Sequence, residues 1–207
     1  MKLDSIIFDL DGTLWDSSES IIDSWNETIS HYDEVKNKLT IDDMRSIMGL
    51  VIKDVALKFF PYLGEEKRLE IVEECCINEC AHLGKHGAIL YDNLENILKV
   101  LNQKYQLFIV SNCQSGYIES FYESHRLEKY FVDYESAGRT GLTKGENIKL
   151  VMSRNNLINS IYVGDTLGDQ EAAKVAGIPF IYAKYGFGEV SDNEYTISTF
   201  DEIIKFV

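Results

Sequence analysis

Four short groups of polar residues carry the chemistry on offer in this sequence. The first is Phe8-Asp9-Leu10-Asp11-Gly12-Thr13-Leu14, which follows an apolar run. Along an extended chain, residues i and i+2 point the same way, so Asp9 and Asp11 present two carboxylates together. Such a pair resists joint ionisation unless a positive charge sits beside it. The second group, Gly164-Asp165-Thr166-Leu167-Gly168-Asp169, also leads from an apolar run into a loop. Hard oxygen ligands from two neighbouring strand ends suit Mg²⁺, which takes six oxygens and commonly keeps waters and a phosphate oxygen. The third is Val110-Ser111-Asn112, where a hydroxyl and turn amides can donate to phosphate oxygens. The fourth is Lys144, in Gly141-Leu142-Thr143-Lys144-Gly145. An ammonium there neutralises a phosphate and its attacker together.

Each group has an ordinary reading by itself. Asp-x-Asp often marks a solvated turn, Ser-Asn caps a helix, a lone lysine sits on the surface, and Asp165 to Asp169 can serve helix capping. Position is what joins them. All four follow predicted strands, or a loop at the same sheet edge, in one order.

Those elements are visible as changes of pattern. Ser5 to Phe8, Leu107 to Val110 and Ser160 to Val163 are short, rich in Ile, Val and Phe, and lack polar alternation. Strands of a parallel sheet covered on both faces look like this. Phe131 to Tyr134 and Pro179 to Tyr182 are weaker strand candidates. Between them, Leu94, Ile97, Leu98 and Leu101 share a helical face, as do Ile148, Val151 and Met152, and then Ala172, Ala173 and Ala176 before Gly177. Strands alternating with helices predict a doubly wound, Rossmann-like α/β core.

From about Ser17 to Lys85 the pattern is helical throughout. Ile21, Ile22, Trp25 and Ile29 form one stripe, and Thr40 precedes Ile41, Met44, Ile47 and Met48, with Asp43 at the capping-box position. Val51, Val55, Phe59 and Phe60 form a third stripe; Leu69, Val72, Cys76, Cys80 and Leu83 form a fourth. An all-helical insert of this size can cover the carboxyl edge of an open α/β sheet, where ligands bind. The expected division is a core of residues 1–15 and 88–207 and a helical cap of residues 16–87. Hinges are expected near Leu14 to Ser17 and Gly87 to Tyr91.

With these motifs in place, the whole chain resembles the haloacid dehalogenase-like phosphatases. The branch with a helical cap after the first motif, typified by phosphoglycolate phosphatase and β-phosphoglucomutase, is the nearest in pattern. Asp9 to Leu14 match the first motif, Ser111 the second, Lys144 the third, and Gly164 to Asp169 the fourth. The resemblance implies Asp9 as nucleophile, forming an aspartyl-phosphate, and Asp11 as acid and then base. Ser111, Asn112 and Lys144 would hold the phosphoryl group. Mg²⁺ would be bound by Asp9, the Asp11 carbonyl and Asp165, with Asp169 direct or through water. The implied activity is hydrolysis of a small phosphorylated metabolite; a phosphosugar mutase is the alternative. A dehalogenase is disfavoured by the presence of Asp11, and a phospho-acceptor binding protein by the helical insert. Departures from the pattern are Lys144-Gly145 in place of Lys-Pro, with Arg139 close by as a competing cation, a return segment without Pro-Gly, and Trp15 where a smaller apolar residue is common.

Composition narrows the partners. The chain has 207 residues, 45% of them hydrophobic, which fits a globular core with room for a modest second unit. Lys plus Arg number 20 and Asp plus Glu 34, for a net charge of −14. Such a balance disfavours nucleic acid and anionic membrane surfaces. No apolar run approaches a transmembrane span, and Met1-Lys2-Leu3-Asp4 does not open like a signal peptide. Cys75, Cys76, Cys80 and Cys113 make a poor disulfide framework, so a reducing cytoplasm is expected. Cys76, Cys80, His82 and His86 could be read as a zinc set, but the cysteines lie on an apolar stripe. Arg45, Gly49 and Lys53 are candidate substrate contacts on the cap, and Tyr185-Gly186-Phe187-Gly188 suggests a tight loop near the site. Either a monomer or a homodimer fits.

Overall fold

The computed structural model describes residues 3–192 and 194–207. Met1 and Lys2, on which the reading of the amino terminus and the first core boundary partly rest, lie outside the described residues. In chain order the elements are β1 (Ser5–Phe8), β2 (Trp15–Asp16), α1 (Ser18–Ile29), α2 (Ile41–Arg45), α3 (Ile52–Phe59), α4 (Glu65–His86) and β3 (Ile89–Leu90). There follow α5 (Leu94–Leu101), β4 (Gln106–Ser111), α6 (Tyr117–His125), β5 (Asp133–Ser136), α7 (Ala137–Thr140) and α8 (Lys144–Arg154). The chain ends with β6 (Ser160–Gly164), α9 (Leu167–Ala176), β7 (Phe180–Ala183) and β8 (Tyr195–Ile197).

The main sheet is parallel, in the order β5-β4-β1-β6-β7-β8. β1 lies between β4 and β6, with Phe8 opposite both Ile109 and Val163. Its residues are completely buried because helices cover both faces. Ile6 and Phe8 join the larger core, while Ile7 joins a second cluster with Phe108, Val110, Ile148 and Tyr162 on the other face. Each such side chain contributes about 1.5–3 kcal/mol of burial. The strand order reverses at β1, so the carboxyl ends of β1, β4 and β6 open a crevice there.

Most helical stripes fold as expected, but α2 ends at Arg45, leaving Ile47 and Met48 in the following turn, and Val51 and Phe60 flank α3 rather than lie in it. Leu94, Ile97, Leu98 and Leu101 of α5 all face inward. Thr40 caps α2 through a capping box with Asp43, and Gly177 closes α9 at φ +76°. Two strands depart from their expected limits. β5 begins at Asp133 rather than Phe131, since Phe131 spends its ring on Phe8, Phe121 and Tyr122 before the ladder starts. Asp133 and Glu135 are tolerated in this edge strand because Arg154 of α8 binds both carboxylates. β8 carries too short an apolar signal, Tyr195-Thr196-Ile197, to announce itself.

Among the described residues, only helices and turns occupy the stretch between β2 and β3. The 22-residue α4 packs against α1, α3 and α6. β2 and β3 pair antiparallel, Trp15 with Leu90 and Asp16 with Ile89, so the chain leaves and rejoins the sheet side by side.

Candidate active site

The site is assembled by the tips of three adjacent strands. Asp9 directly follows β1, Ser111 ends β4, and Asp165 directly follows β6. Their burial follows from the sheet: Asp9 and Asp165 are 1% and 0% exposed, and Asp169 in the first turn of α9 is 0% exposed. One carboxylate oxygen from each of Asp9, Asp165 and Asp169 lies within 4.8 Å of the others. It is the one group among the described residues whose acidic, His or Cys donors converge closely enough to share an ion.

Lys144 meets this cluster. Its Nζ donates to Asp9 Oδ1 at 3.0 Å and to Asp169 Oδ1 at 2.6 Å. The capping box of α8, Thr143 with Glu146, starts the helix at Lys144 and so delivers the ammonium inward. Arg139, by contrast, pairs with Glu135 and lies over the Tyr134 ring. Asp169 does double service, because its Oδ2 also accepts from Thr166 N, Thr166 Oγ1 and Asp165 N. Asp169 thus caps α9 and also lies beside Asp9 and Asp165.

Three carboxylates surround one ammonium, so the cluster lacks positive charge. Burial, then the charge of Asp169, pushes Asp9 up to about 7 against the pull of Lys144. Burial and the neighbouring carboxylates raise Asp165 well above the usual range. Burial works to lower Lys144, yet Asp169 and Asp9 outweigh it and hold the amine above its ordinary value. Asp165 Oδ1 is buried without a hydrogen-bond partner, while Oδ2 accepts from Phe187 N at 2.7 Å. An orphaned carboxylate oxygen in a charge-deficient oxygen cluster is the donor set a hard divalent cation needs.

Asp11 is set apart. Its Oδ1 accepts from Trp15 Nε1 at 2.9 Å, Ser17 Oγ at 2.8 Å and Tyr117 OH at 2.8 Å. Burial nevertheless dominates and pushes the carboxyl to about 6. Trp15 thus does more than pack at the chain crossing: its ring contacts Tyr117 and Phe121 while its N–H reaches Asp11.

Ser111 is buried at the end of β4, and its Oγ accepts from Cys113 N at 3.4 Å. Asn112 Nδ2 donates to Gly49 O at 2.8 Å, tying the sheet edge to the turn between α2 and α3. Gly49 therefore reaches the site. Arg45 and Lys53 do not: they pair with Glu19 and Glu65 on the surface. Cys76 and Cys80 stay on the buried side of α4, where burial raises both thiols, and His82 stacks on His86.

Sequence reasoning missed the groups that hold the carboxylates in place. Tyr117, Ser17 and Phe187 N carry no motif spacing, because each arrives from a different part of the chain. Gly186 was legible only as a loop residue. A Cβ there would stand 2.3 Å from Asp165 Cβ and 2.4 Å from Gly12 O. Gly12 itself sits at φ +78° with Asp165 against it.

Comparison with known proteins bears on this geometry. Residues 6–183 match the family model described as haloacid dehalogenase-like hydrolase. A phosphoglycolate phosphatase from Vibrio parahaemolyticus is 25% identical over 218 residues, covering 98% of this chain and 95% of that protein. The pyrophosphatase PpaX of Anoxybacillus flavithermus is 30% identical over 114 residues, covering 54% of this chain and only 49% of that protein. Among solved structures, a haloacid dehalogenase-like hydrolase from Streptococcus pneumoniae superposes with a TM-score of 0.85 at 22% identity. It covers 99% of this chain and 98% of that one.

Proposed function

Because the chain belongs to the haloacid dehalogenase-like hydrolase family, we propose that it hydrolyses phosphate monoesters of small metabolites through Asp9. The observation that carries this reading is the buried arrangement of Asp9, Lys144, Asp165 and Asp169 around one point at the sheet edge. Asp9 attacks phosphorus and becomes an aspartyl-phosphate; the ester oxygen leaves with the proton of Asp11. Asp11, now a carboxylate, takes a proton from the water that attacks the same phosphorus, and Asp9 is released with inorganic phosphate. Splitting the displacement in two lowers each barrier, and a positioned acid–base group contributes about 10²–10⁴-fold. Ser111, Asn112 and Lys144 hold the phosphoryl oxygens.

Asp9, Asp165 and Asp169, with the Asp11 carbonyl, would hold Mg²⁺. The ion supplies charge neutralisation and orientation of the phosphoryl group. Residues 16–87 act as a cap on a core of residues 1–15 and 88–207, with the β2–β3 ribbon as its hinge. Closure would exclude water from the crevice. Among the described residues, no helix is long and apolar enough to cross a membrane, and the four cysteines are free thiols. Both features support a cytoplasmic setting.

The test is a panel of phosphorylated metabolites assayed with Mg²⁺, with EDTA, and with Asp9→Asn. Phosphate release should require Mg²⁺, and Asp9→Asn should lose on the order of 10³-fold or more in kcat while its melting curve stays cooperative. Near-normal turnover by a folded Asp9→Asn protein would refute the assigned nucleophile.

A further inference from the structure

Above Asp9 and Asp11 lies a cavity of about 50 Å³, closed on the far side by the helices. It is the space a leaving group would occupy once Asp9 held phosphorus. Apolar side chains of Ile21, Trp25, Ile47, Ile52 and Val55 make most of its wall. Among the described residues lining it there is no lysine, arginine or histidine. Lys144 is already engaged by Asp9 and Asp169, and Arg45 and Lys53 face solvent in their own ion pairs.

Past the sheet edge, where Asp9, Asp11, Ser111 and Tyr117 line the cavity, Glu79, Gln114 and Asn112 bring polar atoms to the apolar wall. Glu79 of α4 is a fully enclosed carboxyl, 4% exposed, whose Oε2 accepts from Gln114 Nε2 at 3.0 Å. Asn112 Oδ1, also on this cavity, is buried without a partner. A buried acceptor left unpaired costs about 1–3 kcal/mol, so an occupant that donates hydrogen bonds is favoured. A buried acid in the wall of an apolar cavity is costly for stability, and its one side-chain hydrogen bond is from Gln114.

We propose that Glu79 is a specificity-determining residue that selects leaving groups bearing an O–H or N–H donor and rejects those bearing a second negative charge. This rests on the phosphatase reading above. The electrostatics run the same way. Burial and the charge of Asp11 push the Glu79 carboxyl up to about 8 against the pull of Trp25 and Gln114. A site that resists ionising its own acid resists an incoming carboxylate or phosphate for the same reason. The substrate class differs, on this reading, from the anionic compounds for which the relatives are named, phosphoglycolate and pyrophosphate.

The test uses matched esters of nearly equal size: 2-hydroxyethyl phosphate, 2-aminoethyl phosphate, ethyl phosphate and 2-phosphoglycolate, with pyrophosphate and p-nitrophenyl phosphate alongside. The hydroxyethyl or aminoethyl ester should exceed 2-phosphoglycolate and pyrophosphate in kcat/KM by about tenfold or more, since no cation on the cavity wall offsets a buried second charge. Ethyl phosphate, lacking the donor, should fall below the better of those two. The leading ester tells a hydroxyl from an ammonium. At pH above about 8, where Glu79 is a carboxylate, Glu79→Gln should shrink the gap to 2-phosphoglycolate. Equal or better turnover of 2-phosphoglycolate or pyrophosphate by the wild type would overturn the proposal. So would an unchanged gap in folded Glu79→Gln; should that variant not fold, the wild-type ranking decides alone. Absence of turnover even on p-nitrophenyl phosphate would instead bring down the phosphatase reading, and this one with it.

Discussion

Asp9 and Asp11 are two residues apart, yet their surroundings divide the work between them. Asp9 faces an ammonium and two further carboxylates; Asp11 faces three neutral donors. The donors favour the carboxylate form of Asp11, burial favours the acid, and burial prevails at about 6. A group poised there can give a proton and then take one near neutrality. In the first step the acid must be protonated, so kcat/KM for an alkyl phosphate should fall as pH rises above about 6. An aryl phosphate, whose leaving group needs no proton, should lack that falling limb. Tyr117→Phe removes one donor from the charged form, which raises the Asp11 pKa. The falling limb should then move upward by roughly one pH unit, because a hydrogen bond to a charged group contributes about 1.5–3 kcal/mol. A pH profile that stays put in Tyr117→Phe would show that Asp11 is not the proton donor.

At the level of elements, three parallel strands bring their carboxyl ends to one edge, and a distant loop closes on them. That loop, Tyr185 to Gly188, holds Asp165 through Phe187 N and lets Gly186 lie against it. Gly186→Ala must displace Asp165 or the Gly12 carbonyl, since the obstruction is backbone and Cβ rather than a flexible side-chain end. Mg²⁺ affinity should drop by about 10–100-fold, the scale seen when a ligand's support is lost, as read from activity against metal concentration. Unchanged affinity would mean the loop does not position Asp165. The strands that could be read in advance were those buried on both faces, such as Ser5–Phe8, where continuous apolar character leaves no ambiguity. β5 was displaced and β8 unseen because edge strands carry charges or few apolar residues. The motif residues were legible because each sits at a strand end or helix start. Tyr117, Ser17 and Glu79 were not, because only tertiary packing brings them to Asp11 and the cavity.

For the whole molecule, the sheet sets the chemistry and the helices set what reaches it. Helices α1, α3 and α4 and the turn at Ile47 to Leu50 form the far wall of the cavity, and the chain enters and leaves this segment through paired stretches, Trp15–Asp16 and Ile89–Leu90. On the proposed division into cap and core, the helices move away from the sheet to admit substrate, with the β2–β3 ribbon as pivot. Trp15 joins that pivot to the acid, since its backbone pairs with Leu90 while its indole donates to Asp11. The account nonetheless depends most on a covalent bond between phosphorus and one carboxylate. That bond can be sought directly by quenching the enzyme during turnover of a phosphate ester with Mg²⁺, reducing with borohydride and sequencing the peptides by mass spectrometry. Reduction of an aspartyl-phosphate leaves homoserine, expected at position 9 and only when substrate is present. Steady turnover with an unmodified Asp9, or with the mark at another carboxylate, would contradict the account.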